Sequence, residues 1–511
     1  MRERKIYQID GKAKVKFRNH VSDCIGTGRM GLALQKEYQD QLKLVQDEIG
    51  FSHIRGHGLF SDDMAIYQEY ETENGEKRAE YNFTYLDLVM DSYRELSLKP
   101  FLELGFMPEK LASGDQTIFY WKGNTTPPKN YDGWCELVIE TLRHLMMRYG
   151  AEEVVTWPIE VWNEPNLPGF WKDADMEEYF KLFGRTFRAV KKLDGRFRIG
   201  GPAVCGVQDE LWIRSFLEFC RKEKIHPDFI TRHHYTTEFP EYDGHYGYAA
   251  LSDAEAGFAN LQTTRDVIDS FEEFKGMGIY ITEFNTSYIP NCPLHDTNQN
   301  AAYLAQQLSR LGDVNESYSY WTFGDIFEEQ GVPFTPFHGG FGLVANGCIP
   351  KPAFWTFSFF KELEDWKGEC VHRSEESVIL KKEDGSYAGI IWNADRVRCG
   401  RELDLTFTLQ GLSSKAYCLV TKLVDEKTCN PLKVWHDLGE PASLSKDQKK
   451  LLQESARPEI VTQKRYPAEK KLELDFCLEE FGVLLFELQP VVETGDRGYN
   501  YDRVMRGETI K

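Results

Sequence analysis

The sequence lacks the features that mark membrane-spanning, exported or nucleic-acid-binding proteins. No stretch reaches the roughly 18 apolar residues that a membrane-spanning helix needs, and the first ten residues contain no apolar segment of an export signal. Lysine and arginine number 61 against 81 aspartate and glutamate residues, and the net charge of −20 disfavours nucleic acid and anionic membranes as partners. We therefore expect a cytoplasmic protein with an uncharged small-molecule partner.

Cysteine pairs with the spacing of a zinc or redox site are also absent. The 11 cysteines are odd in number and scattered, with no C-x-x-C motif, which favours thiols in a reducing compartment over a disulfide framework. His53 and His57 suggest a metal pair, but neighbouring glycines place them on a strand and loop, and no third ligand accompanies them. The sequence thus predicts a protein without a metal or other cofactor.

What the sequence does contain is an alternation of short apolar runs and helical patterns between residues 16 and 362. Hydrophobic residues make up 41% of the 511 residues, which is ample for a large core. Eight strand-like runs, each followed by a helical pattern, indicate an α/β fold that closes into a (β/α)8 TIM barrel rather than an open sheet. The predicted strands are residues 20–25, 52–56, 100–105, 158–163, 197–201, 228–235, 278–284 and 317–323.

The pattern changes after this barrel, where apolar and polar residues alternate as they do in half-buried strands. We assign residues 1–15 and 363–490 to an accessory β-sandwich domain. A helical pattern at residues 426–457 predicts a small helical insertion in it. The last segment, residues 491–511, has no periodic pattern and is expected to form a C-terminal arm.

Two of the predicted barrel strands run directly into a carboxylate. Trp162-Asn163-Glu164-Pro165-Asn166 ends the fourth strand, and Glu283 ends the apolar run of the seventh. The carboxyl ends of barrel strands form the active-site face, and the ends of strands four and seven lie opposite each other across its mouth. Either acid alone could be a solvated strand end. Two that converge suit glycoside hydrolysis, in which one carboxyl protonates the leaving oxygen and the other attacks the anomeric carbon.

These segments resemble glycoside hydrolase family 39, and its bacterial β-xylosidases in particular. Asn163-Glu164-Pro165 is similar to the acid/base signature of the large clan of (β/α)8 glycosidases, and Thr282-Glu283-Phe284-Asn285 to its nucleophile strand. The resemblance extends to residues 54–60, 120–124 and 321–323 and covers nearly the whole chain. It implies a retaining exo-glycosidase that removes β-1,4-linked xylose from the non-reducing end of xylo-oligosaccharides, with Glu164 as general acid/base and Glu283 as nucleophile.

The resemblance also implies which residues contact the sugar. Asn163 would hold the 2-hydroxyl, Trp321 would form an apolar wall, and the remaining hydroxyls or the nucleophile would be bound by His57, His233, Tyr235 and Glu328. His233 and Tyr235 are two residues apart on a strand and therefore share a face, with His234 on the other. Arg55 is a candidate for holding Glu283 ionised, or a structural ion pair. Only the resemblance favours Glu328 over Glu329.

Other interpretations remain open. Residues 26–31 match the G-x-G-x-x-G fingerprint of dinucleotide-binding oxidoreductases, although the second strand does not end in the acidic residue that such a fold requires. A non-catalytic sugar-binding protein would explain the aromatic residues but not two opposed carboxylates. Within the family, an α-L-iduronidase, a β-glucosidase or an arabinosidase would act on another sugar. We also expect a homo-oligomer, since similar enzymes are often tetramers.

Overall fold

The computed structural model describes residues 2–333, 335–492, 499 and 501–506. Within them, eight parallel strands pair in chain order, and the eighth pairs with the first through Ser319 and Cys24, which closes a barrel. The predicted (β/α)8 TIM barrel is therefore confirmed. Its strands are Cys24–Arg29, His53–His57, Lys99–Leu104, Ile159–Val161, Ile199–Val204, Ile230–Tyr235, Ile279–Asn285 and Ser317–Tyr320.

A helix follows each barrel strand. In these helices apolar residues recur every three or four positions, so that one face packs against the barrel. In the helix Met176–Leu193, for example, the side chain of Asp175 accepts a hydrogen bond from the first turn, and Tyr179, Phe183 and Val190 are buried. The ring consists of Lys36–Glu48, Thr84–Glu95, Tyr131–Tyr149, Met176–Leu193, Asp209–Glu223, Ala254–Asp269, Asn298–Leu311 and Pro352–Trp366. Shorter helices lie in the segments that connect the strands and helices, at Met30–Leu34, Asp62–Met64, Ala151–Val154, Lys172–Ala174 and Pro293–Asp296.

The first barrel strand lies further along the chain than predicted. Gly26 and Gly28, which the G-x-G-x-x-G interpretation placed in a loop after the strand, are part of it. A Cβ atom on Gly26 would lie 2.6 Å from the Trp321 ring, and one on Gly28 would lie 2.9 Å from the Phe327 ring. These glycines therefore leave room for two aromatic side chains of the barrel mouth, and the predicted position of the motif was wrong.

The accessory domain is a sandwich of two sheets, as predicted. Arg2–Ile9 pairs in parallel with Glu402–Gln410, which pairs antiparallel with Lys471–Leu478. The facing antiparallel sheet has the order Glu369–Arg373, Ser377–Lys381, Tyr387–Trp392, Val483–Pro490, Tyr417–Val424 and Glu459–Arg465. Apolar side chains of both sheets form one buried core, among them Ile9, Phe407, Leu474 and Phe486.

Two helices, Pro431–Asp437 and Lys446–Ser455, form the small insertion between two strands of the larger sheet. Trp435 and Leu452 on these helices pack against Phe337 and Ile349, which belong to the long segment after the eighth barrel strand. The insertion thus supports a segment that reaches the barrel mouth. The expected domain boundaries stay predictions, although the last barrel helix continues to Trp366.

Among the described residues, four two-stranded sheets are separate from the barrel sheet and the sandwich: Tyr67–Glu71 with Lys77–Tyr81, Thr117–Ile118 with Gly123–Asn124, Glu241–Asp243 with Tyr246–Tyr248, and Val344–Ala345 with Ile349–Pro350. The arm expected at residues 491–511 falls largely outside the described residues, which include its helix Tyr501–Arg506. Among the helices that the structure describes, none has the length and apolar content to cross a membrane.

Candidate active site

The fourth barrel strand ends at Val161, and an irregular segment then carries Asn163 and Glu164 into the mouth of the barrel. Trp162 and Glu164 adopt left-handed backbone conformations, with φ of 74° and 45°. Such conformations cost about 1–3 kcal/mol each in non-glycine residues, so other contacts must hold them. The Trp162 indole donates to the Phe170 carbonyl at 2.7 Å, and the Glu164 amide donates to the Ala203 carbonyl at 2.9 Å.

Glu164 is buried in an environment that favours its protonated form. Its Oε1 lies 2.8 Å from Nδ1 of His233 on the sixth strand. Burial raises the pKa of Glu164 to about 7, although the positive charge of Arg55 opposes this. Burial also lowers the pKa of His233 to about 4, so the imidazole is neutral at ordinary pH. Glu164 can therefore hold a proton near neutral pH.

Glu283 lies opposite Glu164, with a hydrogen-bond donor on each of its two oxygens. Arg55 Nη1 donates to Oε1 at 2.7 Å, and the Tyr235 hydroxyl donates to Oε2 at 2.7 Å. Donors of this kind stabilise the ionised form of a carboxylate. One oxygen of Glu164 lies within 4.8 Å of one oxygen of Glu283. A carboxyl that can hold a proton and a carboxylate held by donors thus face the same small volume.

Arg55 is the centre of a fully buried network beneath these two acids. Besides Glu283, its guanidinium donates to Glu160 Oε2 at 2.6 Å and to Asn163 Oδ1 at 2.8 Å, and it lies 2.9 Å from Glu103 Oε2. Because the Asn163 oxygen is occupied, the NH2 group of its amide can face a ligand. The Arg55 side chain thereby fixes one acid and one amide at the barrel mouth.

His57 and Trp321 form another side of the site. The His57 ring lies 4.6 Å from the Trp321 ring, and the Arg55 guanidinium lies 5.9 Å from the Trp321 ring centre. His57 Nδ1 is 2.7 Å from Glu103 Oε2, and burial lowers the pKa of His57 to about 4. The Asn285 side-chain amide donates to the Trp321 backbone carbonyl at 2.5 Å, which ties the Trp321 backbone to the seventh strand.

Glu328 does not lie with the other predicted residues. Its Oε2 accepts a hydrogen bond from Arg29 at 2.7 Å, at the side of the barrel mouth. The adjacent Glu329 lies nearer the acids, with Oε1 4.0 Å from His57 Nε2. Burial and the charges of Glu283 and Glu164 raise the pKa of Glu329 well above its ordinary value. Adjacent loop residues project differently, so Glu329 rather than Glu328 faces His57, and which of the two contacts the sugar stays a prediction.

The other predicted residues are brought together. Arg55, His57, Asn163, His233, Tyr235 and Trp321 all lie around Glu164 and Glu283. As the strand alternation predicted, His234 points the other way and contacts Gln307 on a surrounding helix.

Sequence reasoning missed two buried acids, Glu103 and Glu160, on the third and fourth strands. Both interrupt otherwise apolar runs, which is the same signal that identified Glu283. Glu160 contacts Arg55 and accepts a hydrogen bond from the Thr282 hydroxyl at 2.8 Å. An acidic residue inside an apolar barrel strand therefore indicates a buried site residue, and this signal could have identified Glu103 and Glu160 as well as Glu283.

The barrel and its paired carboxylates define a glycoside hydrolase. The chain belongs to the family described as Glycosyl hydrolases family 39, whose model matches residues 5–473. This confirms the resemblance found in the sequence.

Relatives cover almost the whole chain. It is 45% identical to a beta-xylosidase of Geobacillus stearothermophilus over 493 residues, and this aligned region covers 95% of this chain and 96% of that protein. It is 36% identical to a beta-xylosidase of Caldicellulosiruptor saccharolyticus over 456 residues, and this aligned region covers 88% of this chain and 91% of that protein. The crystal structure of a monomeric beta-xylosidase from Caulobacter crescentus CB15 matches with a TM-score of 0.86 and 31% identity, covering 96% of this chain and 100% of that one.

Proposed function

We propose that the protein is a retaining exo-β-xylosidase that removes xylose from the non-reducing end of β-1,4-linked xylo-oligosaccharides. The observation that carries this proposal is the approach of Glu164 and Glu283 oxygens to within 4.8 Å. Retaining enzymes hold their two carboxyl groups about 5–5.5 Å apart, whereas inverting enzymes leave about 6.5–9.5 Å for a water molecule. The short separation therefore supports direct attack by one carboxylate and argues against a non-catalytic binding protein.

In the first step, Glu283 attacks the anomeric carbon while Glu164 gives its proton to the leaving oxygen, so that a xylosyl ester forms on Glu283 and the shortened oligosaccharide departs. In the second step, Glu164 accepts a proton from water, the water oxygen attacks the same carbon, and the ester bond breaks. The pKa of about 7 leaves Glu164 able to perform both tasks. Arg55 and Tyr235 hold the Glu283 carboxyl group in place for attack by donating a hydrogen bond to each of its oxygens.

Remaining contacts support binding of a terminal sugar. The free amide group of Asn163 suits the 2-hydroxyl, His57, His233 and Glu329 suit the other hydroxyls, and Trp321 suits an apolar face of the ring. The Tyr120 amide donates to the Glu329 carbonyl at 2.7 Å, which joins the loop after the third strand to the one after the eighth. That bridge across part of the mouth supports exo action.

The charges around the site favour a neutral sugar over a uronic acid. Among the described residues, Arg55 faces the acids from below, and its donors are taken by Glu160, Glu283, Asn163 and Glu103. Arg29, at the side of the mouth, is bound to Asp63 and Glu328. A substrate carboxylate would therefore have to compete with acids that already bind both arginines, and this disfavours an iduronidase. β-Glucosidase activity stays an alternative, since glucose differs from xylose by one hydroxymethyl group, which an open pocket rejects only weakly. Arabinosidase activity stays an alternative as well, since arabinose is a pentose of the same size.

A panel of nitrophenyl pentosides and hexosides, including an iduronide, tests the substrate. The β-xyloside should have the highest kcat/KM, and preference for any other sugar would contradict the proposal. Stereochemistry tests the mechanism: Glu164→Ala should recover turnover with azide and release β-xylosyl azide, since azide attacks the xylosyl ester from the face that water uses. An α-azide would exclude the double displacement.

We also propose that the enzyme acts in the cytoplasm on the short oligosaccharides left by xylan degradation. Eleven unpaired cysteines support a reducing compartment. A homo-oligomer stays a proposal, and the solved Caulobacter relative is described as monomeric. Light scattering on the eluting protein would decide, since a mass of 59.2 kDa means a monomer.

A further inference from the structure

We infer that Glu103 is a positioning residue that carries a proton, donates it to Nδ1 of His57, and thereby keeps a hydrogen on Nε2 that faces the sugar. Glu103 lies on the third barrel strand and is fully buried. Its Oε2 is 2.7 Å from His57 Nδ1, which is hydrogen-bond distance with either atom as the donor. The question is therefore which of the two side chains holds the proton between them.

The surroundings of the two Glu103 oxygens favour the neutral acid. Oε2 lies 2.9 Å from Arg55 Nη2 as well as next to His57, whereas Oε1 has no hydrogen-bond partner among the described residues. An ionised carboxylate would leave a charged oxygen buried without any donor, which is far costlier than burying the carbonyl oxygen of a neutral acid. A hydroxyl at Oε2 can accept from Arg55 and donate to His57 at once.

The charge balance of the cluster points the same way. Arg55 supplies one positive charge, and the carboxylates of Glu160 and Glu283 both contact it directly. With both of these ionised the cluster already carries one net negative charge, and a third anion at Glu103 would double it. In agreement, burial raises the pKa of Glu103 to about 8.

His57 is neutral as well, because burial lowers its pKa to about 4. A neutral imidazole carries one hydrogen, and if Nδ1 accepts from Glu103, that hydrogen is on Nε2. His57 Nε2 lies 3.6 Å from Glu283 Oε1 and 4.0 Å from Glu329 Oε1, too far for a hydrogen bond to either. The Nε2 hydrogen is thus available to a substrate hydroxyl.

This inference rests on the proposed function only for what the Nε2 hydrogen binds, because the position of the protons can be measured without substrate. Neutron diffraction from crystals of the full chain at pD 6 should show a deuteron on Glu103 Oε2 and one on His57 Nε2, with Nδ1 bare. A deuteron on Nδ1, whether the imidazole is neutral or charged, would overturn the inference. Absence of xylosidase activity would leave this measurement unaffected.

A kinetic experiment tests whether the proton matters for the reaction. In Glu164→Ala, a dinitrophenyl xyloside needs no general acid, so kcat/KM no longer depends on the titration of Glu164. It should then fall by about tenfold to a lower plateau as the pH rises through about 8, because ionised Glu103 accepts a hydrogen bond from Nδ1 and the single hydrogen of His57 moves there from Nε2. This fall should vanish when Glu103→Gln is added and persist when Glu329→Gln is added.

The second variant is the matched control, because Glu329 also faces the site and also has a raised pKa. Loss of the alkaline fall in the Glu329 variant, its persistence in the Glu103 variant, or its absence from Glu164→Ala would each refute the assignment. If Glu103 only supported the fold, adding Glu103→Gln would change the value of kcat/KM but not the way in which kcat/KM depends on pH.

Discussion

Protonation of Glu164 should be measurable as stability as well as activity. Burial raises the pKa of this carboxyl from 4.5 to about 7, which corresponds to about 3 kcal/mol. The folded state therefore binds the proton more tightly than the unfolded state does. The stabilisation is fully present below pH 4.5 and is lost as the pH rises through 7, because the folded protein must then bury an anion.

Glu164→Gln removes this titration while keeping the shape of the side chain. We expect the variant to match the wild type at pH 4.5 and to exceed its stability by about 3 kcal/mol at pH 8, while losing most of its xylosidase activity. Thermal unfolding at several pH values from 4.5 to 8 measures the difference. Glu459→Gln, at an exposed position on an edge strand, is the control. If both variants gave the same difference from wild type at every pH, Glu164 would not be a buried, protonated acid.

Three further substitutions test separate contacts. Tyr235→Phe removes a hydrogen bond to the charged Glu283 worth about 1.5–3 kcal/mol, so kcat/KM for a nitrophenyl xyloside should fall about 10- to 150-fold without a large change in Tm; an unchanged kcat/KM would contradict the contact. Gly26→Ala should place a methyl group against the Trp321 ring, and we expect a higher KM and a loss of about 1–3 kcal/mol of stability, measured by kinetics and urea unfolding. Lys351→Met leaves the buried Asp296 and Asp325 without their cationic partner and should cost about 3–5 kcal/mol near neutral pH, whereas unchanged urea unfolding would contradict a stabilising ion pair at this position.

The sequence predicted the barrel and its two acids because both depend on periodicity along single strands. It misplaced the first strand, since Gly26 and Gly28 look like a loop until the aromatic rings that lie over them are known. It also could not choose between Glu328 and Glu329. Their orientations depend on contacts with Arg29 and with the loop near Tyr120, and both contacts are distant in the chain.

Glu103 and Glu160 show a different limit. Each acid was visible in an apolar strand, but its significance depends on meeting Arg55 from a neighbouring or more distant strand. The fourth strand contains Glu160 and leads directly into the segment with Glu164, so it contributes one acid to the buried network and one to the barrel mouth. These contacts join side chains from separate strands, so the composition of any single strand does not reveal them.

The parallel pairing joins the strand Arg2–Ile9, which precedes the barrel, to Glu402–Gln410, which follows the whole barrel. During synthesis on the ribosome, Arg2–Ile9 therefore has no partner strand until the whole barrel has been synthesised. In the mature enzyme, both chain segments that lead into and out of the barrel enter one sandwich. A force that pulls residue 2 away from the protein would thus act on the pairing of Arg2–Ile9 with Glu402–Gln410 before it reached any barrel strand.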